Sequence, residues 1–225
     1  MAAEFGARAY LGADSALNEV KSVRYTGTLL APDPADATKQ VASKIEIVFQ
    51  KPEQQRITST SDKVIETTAL DGYEAWMRVQ DPNDPKKWRQ TLLGVDQIKR
   101  LRANTWENLS FFRGLDGHGG RLEDQGTTTI DGVTCQKLAF IHAPNIVFNR
   151  YFDVATGRLV LTETEAGGTI REQGEIMVNG IRFPKSIVTT AKNAKGQSQT
   201  VTITFDQVQV NETFPASYFR VPSAR

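Results

Sequence analysis

The sequence predicts a mainly β (α+β) fold: one large, highly curved antiparallel sheet with a helix to cover it. Three observations carry this reading. β-like runs follow one another from about residue 22 to residue 210. Turn pairs separate them: Asp71-Gly72, Asp131-Gly132, Thr156-Gly157, Gly167-Gly168 and Asn179-Gly180, with Gly196 at a further turn. Such residues tolerate the positive φ that tight hairpins between antiparallel neighbours need. Finally, a single amphipathic helical segment, near 96–113, interrupts the series. A cupped sheet of this kind suits binding of something apolar better than catalysis.

Residues 2–21 read as helical, with Phe5, Ala9, Leu17 and Val20 able to face inward. Gly12 breaks the run and Asp14 can cap a fresh start. Val23, Tyr25 and Leu29 then alternate with Arg24, Thr26 and Thr28, the mark of a first strand. Residues 31–42 form a loop, because two prolines so close cannot sit inside a sheet. In the second strand Ile45, Ile47 and Phe49 alternate with Lys44, Glu46 and Gln50, and Lys51-Pro52 ends it. Strands near 54–60 and 63–70 follow. In the next, Tyr73, Ala75, Met77 and Val79 share one face, while Glu74, Trp76 and Arg78 share the other. Residues 81–87 read as a polar loop before Trp88.

Asp96 can cap the helix over 97–113, and Gly114 stands where a left-handed C′ residue belongs. Ile98, Leu101, Thr105, Leu109 and Phe112 fall on one stripe at three- and four-residue steps. That stripe must lie on something apolar, and the sheet is the one candidate large enough. Further strands are expected close to 121–129, 132–142, 145–153, 157–165, 169–178, 181–192 and 197–210. A change of phase at Asp206-Gln207 suggests a bulge in the last. So many strands cannot stay flat and should curl or close.

Composition excludes several function classes. The 225 residues are 39% hydrophobic and 24% charged, as in a soluble globular protein. Lys+Arg, at 27, balances Asp+Glu, at 26, so there is no general attraction to nucleic acid or anionic lipid surfaces. No apolar run approaches the roughly 20 residues that span a bilayer. Cys135 is the sole cysteine; it lies in an apolar strand and reads as a buried, inert thiol. The N-terminal residues lack a basic region followed by an apolar stretch and do not read as a signal peptide.

The motifs offer no catalytic set. His118, His142 and Cys135 lack the spacing of a zinc site, so neither a metal nor a cofactor is expected. Gly117-His118-Gly119-Gly120 has no Gly-x-Ser-x-Gly elbow to pair with and reads as an exposed loop. Glu163, Glu165, Glu172 and Glu175 read as a wet outer face. Trp76, Trp88 and Trp106 read as separately packed aromatics rather than a ligand platform.

Several segments, in this order and spacing, resemble the LolA/LolB lipoprotein-sorting family. They are helix 2–21 running into Val20-Lys21-Ser22-Val23, then Phe49-Gln50-Lys51-Pro52, Leu70-Asp71-Gly72-Tyr73-Glu74-Ala75-Trp76, and Ile130-Asp131-Gly132-Val133-Thr134-Cys135-Gln136-Lys137-Leu138. Tyr151-Phe152-Asp153-Val154-Ala155-Thr156-Gly157-Arg158-Leu159 and the tail from Val208-Gln209-Val210-Asn211 to Tyr218-Phe219-Arg220-Val221-Pro222 complete the likeness. The resemblance implies a single domain over 1–225: an unclosed antiparallel β-half-barrel with helices covering its concave face, 2–21 as the N-terminal helical segment and 96–113 as the lid.

Family carriers hold lipoprotein acyl chains in that hollow and ferry them across the periplasm. A basic residue before a proline helps gate the lid; Lys51 stands there, without the planar fork of an arginine. The family often places aromatics three and five residues after that proline. This chain has Gln55 and Ile57, a departure that favours a relative with the same fold and a different ligand. Ile98, Leu101, Leu109 and Phe112 are then the candidate lid underside, Ile57, Ala75 and Met77 the candidate sheet side, and Lys51 the gate. The expected function is that of a non-enzymatic, monomeric, periplasmic protein that binds lipid or an acylated lipoprotein and meets an envelope delivery or receptor protein. The alternative is an RseB-like envelope sensor that uses the same sheet as a binding surface. The residues alone leave a cytoplasmic location open.

Overall fold

A computed structural model describes residues 2–33 and 35–222, with side chains from residue 6 onward. Two helices, α1 (Ala2–Leu11) and α2 (Asp14–Glu19), precede the strands β1 (Ser22–Pro32), β2 (Gln40–Gln50), β3 (Gln54–Thr60), β4 (Ile65–Asp71), β5 (Glu74–Asp81) and β6 (Asp84–Leu92). Helix α3 (Val95–Leu109) follows, then β7 (Arg121–Ile130), β8 (Val133–Ala143), β9 (Ile146–Asp153), β10 (Leu159–Thr164), β11 (Thr169–Val178), β12 (Ile181–Lys192) and β13 (Ser198–Val210). All thirteen strands join one antiparallel sheet in the order β6-β5-β4-β3-β2-β1-β13-β12-β11-β10-β9-β8-β7. Its ends are β6 and β7, so the sheet is not closed, as the expected fold class requires.

The turn chemistry accounts for the string of hairpins. Asp131 and Gly132 have φ of 49° and 81°, and Asn179 and Gly180 have 51° and 77°. Two successive left-handed residues match the right-handed twist of the strands they join.

Four expectations need correction. α1 buries Ala7 and Arg8 and leaves Ala9 exposed, while the side chain of Phe5 lies outside the described residues; Leu17 and Val20 are buried as expected. β1 and β2 reach to Pro32 and back to Gln40, so the loop between them is shorter than 31–42. Residues 81–87 are the turn and start of a hairpin, not a loop: β6 begins at Asp84 and pairs Trp88 with Gln80. Pro85 is tolerated because β6 is an edge strand and one of its sides needs no hydrogen bonds. Finally, α3 ends at Leu109, since Phe111 and Phe112 take positive φ of 49° and 69°.

The chain forms two compact units. The first comprises Met1–Glu19, Pro34–Thr38 and Ser110–Thr202. Its core holds Leu138, Phe140, Phe152, Ile181 and Phe183. Arg8, only 3% exposed, ties α1 to what surrounds it. Its guanidinium donates to Asp14 at 2.7 Å, to Asn18 at 3.0 Å, and to the carbonyls of Ser110 and Phe111 at 3.2 and 3.0 Å. Hydrogen bonds of this kind offset the cost of burying a charge.

The second unit comprises Val20–Asp33, Lys39–Leu109 and Ile203–Arg225. Its register sorts the residues of β1 to β5 onto two faces. Val23, Phe49, Gln55, Leu70 and Ala75 form one cross-strand row, and Tyr25, Ile47, Ile57, Thr68 and Met77 the next row on the same face. Helix α3 packs on this face over β2, β3 and β4. Arg24, Glu46, Arg56 and Trp76 point the other way, where the chain after β13 covers them. The Trp76 indole N–H donates to the Phe219 carbonyl at 2.8 Å, and Arg56 donates to the Tyr218 carbonyl at 2.7 Å.

Candidate functional site

Seven of the eight residues singled out from the sequence fall in the second unit. Ala75 and Met77 share one face, as their alternation implied, and the strand register brings Ile57 onto that face, which carries α3. Ala75 is buried there; Ile57 and Met77 are half-buried. On α3, Leu109 is buried, and Ile98 and Leu101 are half-buried. Lys51 is exposed at the turn after β2, its backbone N–H donating to the Lys21 carbonyl at 2.8 Å.

The seam between α3 and the sheet is polar at its centre. Gln55, fully buried, accepts from Asn104 at 3.0 Å and from Thr105 at 3.2 Å. At the next turn Arg102 donates to Glu53 at 2.5 Å, and its guanidinium lies 4.0 Å from the centre of the Tyr73 ring. These contacts orient the helix. They bury less apolar area than an all-leucine seam would, so they hold it less firmly.

Phe112 lies in the first unit and lines a cleft of about 330 Å³. Ala7 and Leu11 of α1, Phe112, Leu159, Phe183 and Pro184 make its apolar wall. Phe112 is held by ring contacts to Phe152 at 5.1 Å and Phe140 at 6.0 Å, and by the guanidinium of buried Arg150 at 4.9 Å. Its left-handed backbone is costly for a bulky residue, and strain of this kind persists where surrounding packing over-determines it.

Tyr10, Arg158, Glu172, Glu175 and Arg182 are the polar groups of the cleft. Three of them satisfy one another: Tyr10 and Arg182 each donate to Glu175 at 2.5 Å. Those two hydrogen bonds hold the Glu175 carboxyl below the usual range. Burial, then the hydrogen bond to Glu175, raises the Tyr10 hydroxyl.

Glu172 differs from its neighbours. Thr162 pairs with both Arg150 and Ile170, so the alternation of β11 puts Glu172 on the Arg150 face, not on a wet outer face. It is open to the cleft, and the protein around it pushes its carboxyl up, an effect the Arg150 charge opposes. The sequence could not reveal this. Strict alternation puts Glu172 and Glu175 on opposite faces, so both faces of the strand read as equally polar; in the structure both line the cleft, with Gly174 between them at a φ of 63°. Tyr10, Leu11 and Phe183 carried no signal beyond ordinary amphipathicity. Cys135 is fully buried, and burial followed by the Asp153 charge raises its thiol, which fits an inert role.

Among the described residues, no three His, Cys, Asp or Glu side chains converge as a metal site, and no helix is long and apolar enough to cross a membrane. No family model and no curated protein matches the chain. Solved structures do. A LolA superfamily protein from Nitrosomonas europaea aligns with a TM-score of 0.62 at 12% identity, over 96% of this chain and 97% of that one. An outer membrane lipoprotein-sorting protein domain from Vibrio parahaemolyticus aligns at 0.58 and 9% identity, over 96% and 95%. The fold is LolA-like. A DUF1329 family protein from Desulfovibrio piger shares it, at a TM-score of 0.59 and 11% identity, over 97% of this chain and 96% of that one. At these identities the likeness is one of fold, and the LolA-like architecture leaves the ligand to be argued from the site.

Proposed function

We propose that this LolA-like protein binds the acyl chain of a lipid or of a lipidated polypeptide, without catalysis, in the periplasm. The observation that carries the reading is the apolar-walled cleft of about 330 Å³ beside Phe112, at the lower end of ligand-pocket sizes. Acyl binding needs no directional chemistry. Each methylene removed from water contributes ~0.8 kcal/mol, so about ten contribute ~8 kcal/mol before ordering costs. We propose Ile57, Ala75 and Met77 on the sheet and Ile98, Leu101 and Leu109 on α3 as a second apolar contact surface beside the polar centre of that seam, with Lys51 at the turn beside β3 as the gate. The sorting role in the name of the Vibrio parahaemolyticus domain agrees with such a ligand.

Native mass spectrometry of freshly purified protein tests this. The expected result is a population carrying the added mass of a lipid, displaced by a fluorescent fatty-acid analogue, with uptake reduced in Phe112→Asp. Protein that is bare on purification, and that takes up no analogue afterwards, overturns it.

A second reading, an envelope sensor that binds a polypeptide, draws on a separate observation. The edge strand β6 and the residues after it expose Trp88, Leu92 and Val95, the last two at 67% and 68%. An open edge beside apolar side chains can accept an added strand. This reading requires a polypeptide bound at β6 with the cleft empty of lipid.

A further inference from the structure

Among the described residues, two charged side chains of the cleft, Glu172 and Arg158, are left without a hydrogen bond or ion pair. Glu175 is saturated by Tyr10 and Arg182, as described. Glu172 accepts no hydrogen bond and forms no ion pair among the described residues; Arg150 acts on it only through its charge. The guanidinium of Arg150 is occupied by aromatic faces, lying 4.6 Å from the centre of the Phe140 ring and 4.9 Å from that of Phe112. The Glu172 carboxylate shares a cleft with Leu11, Phe112, Leu159 and Phe183, is open to that cleft, and has no donor from the protein among the described residues. It is ready to accept one from a ligand. The remaining cation of the lining, Arg158, is exposed, as Glu172 is, and follows Gly157 in the turn before β10, whereas Glu172 lies on β11 on the face that carries Arg150.

We propose that the cleft selects amphiphiles whose head is a primary ammonium, which donates to the Glu172 carboxylate while the apolar body lies against Phe112, Phe183 and Leu159. This deepens the acyl-binding reading and rests on it. It adds that the polar end is chosen by charge and by N–H donors, and that an acyl chain ending in a bare carboxylate is disfavoured. A primary ammonium suits the position because a charge-assisted N–H···O bond is about twice as strong as a neutral one. A quaternary ammonium carries the charge and has no N–H to give.

The test uses displacement of a bound fluorescent fatty-acid analogue, below the critical micelle concentration of each competitor. The competitors are dodecylamine, dodecyltrimethylammonium and dodecanoate, followed by lysophosphatidylethanolamine against lysophosphatidylcholine with the same tail. Dodecylamine is expected to compete about tenfold better than either of the other two dodecyl probes, the scale of one partly desolvated charge-assisted bond. Glu172→Gln is expected to abolish that preference and leave dodecanoate binding unchanged or stronger. The glutamine keeps the shape of the side chain, and an unchanged melting temperature shows that the fold is kept.

A Glu172-dependent preference for lysophosphatidylethanolamine over lysophosphatidylcholine places the ammonium on a lipid headgroup. A preference confined to dodecylamine places it on a free amine. Equal competition by dodecylamine and dodecanoate, or a preference that survives Glu172→Gln, overturns this inference and leaves the acyl-binding reading standing. No competition by any probe overturns both.

Discussion

Phe112 concentrates the problem of reading a site from a chain. Its spacing from Ile98, Leu101 and Leu109 put it on their stripe, a placement that the end of α3 at Leu109 overturns; its apolar role was legible. Its backbone was not: nothing in the sequence says that Phe111 and Phe112 take φ of 49° and 69° and stop α3 early. Periodicity reports which face a helical residue would occupy, and it is blind to a helix that ends before that residue. The strain has a measurable consequence. An L-residue in the left-handed region costs roughly 1–2 kcal/mol that glycine does not pay. Phe112→Ala and Phe112→Gly lose the same ring contacts to Phe140, Phe152 and Arg150, yet only the second relieves the backbone. Phe112→Gly is therefore expected to unfold at higher urea concentration than Phe112→Ala, by about 1 kcal/mol in stability. Equal stabilities, or alanine ahead, would show that the left-handed turn carries no strain.

At the scale of elements, alternation alone is enough to place Ala75 and Met77 on one face and Trp76 on the other, while Ile57 joins the first face only through the register of β3, β4 and β5. It cannot say what covers Trp76, because the covering segment is the tail beyond β13, with no period of its own. That tail is held by Tyr218, whose hydroxyl donates to Glu46, which also accepts from Arg24 at 2.9 and 2.5 Å. Burial works against ionisation of Glu46. The Tyr218 and Arg24 hydrogen bonds and the charges of Arg24 and Arg56 outweigh it and hold the carboxyl below its usual range. Burial first, then the bond to Glu46, pushes the Tyr218 hydroxyl from 10.0 up to about 12. A group raised on folding stabilises fully below its unfolded value and loses that contribution as pH rises to its folded value. The contribution of Tyr218 is thus complete below pH 10 and fades up to about pH 12. Tyr151, bonded to Glu163 at 2.6 Å, behaves alike. Melting temperature measured against pH should fall across this window. In Tyr218→Phe the whole curve should sit lower and the fall should be shallower, the remainder belonging to Tyr151. A curve for the variant that runs parallel to wild type would remove Tyr218 from the alkaline transition.

For the molecule as a whole, sheet order carries the argument. β2 to β6 and β7 to β12 pair with chain neighbours through short turns, which is why Asp-Gly and Asn-Gly pairs made the hairpins visible in the sequence. The pairing of β1 with β13 joins opposite ends of the strand series, and no local signal encodes it. Its closeness is recorded at Gly27 of β1, where a Cβ would lie 2.0 Å from the Thr204 carbonyl oxygen and 2.9 Å from the Phe205 Cα. Both neighbours are backbone and cannot turn aside, so Gly27→Ala is expected to cost about 1–3 kcal/mol, the range for overpacking. Loop-closure entropy delays contacts between distant segments until local ones have formed. The β1–β13 junction should therefore be absent from the rate-limiting state for folding. Gly27→Ala is expected to speed unfolding in denaturant-jump experiments and to leave the refolding rate nearly unchanged. Gly132→Ala offers the contrast, since it strains a local hairpin turn at a φ of 81° and should slow refolding. If Gly27→Ala instead slows refolding with unfolding untouched, the chain docks its two ends early, and the hairpins form around that junction.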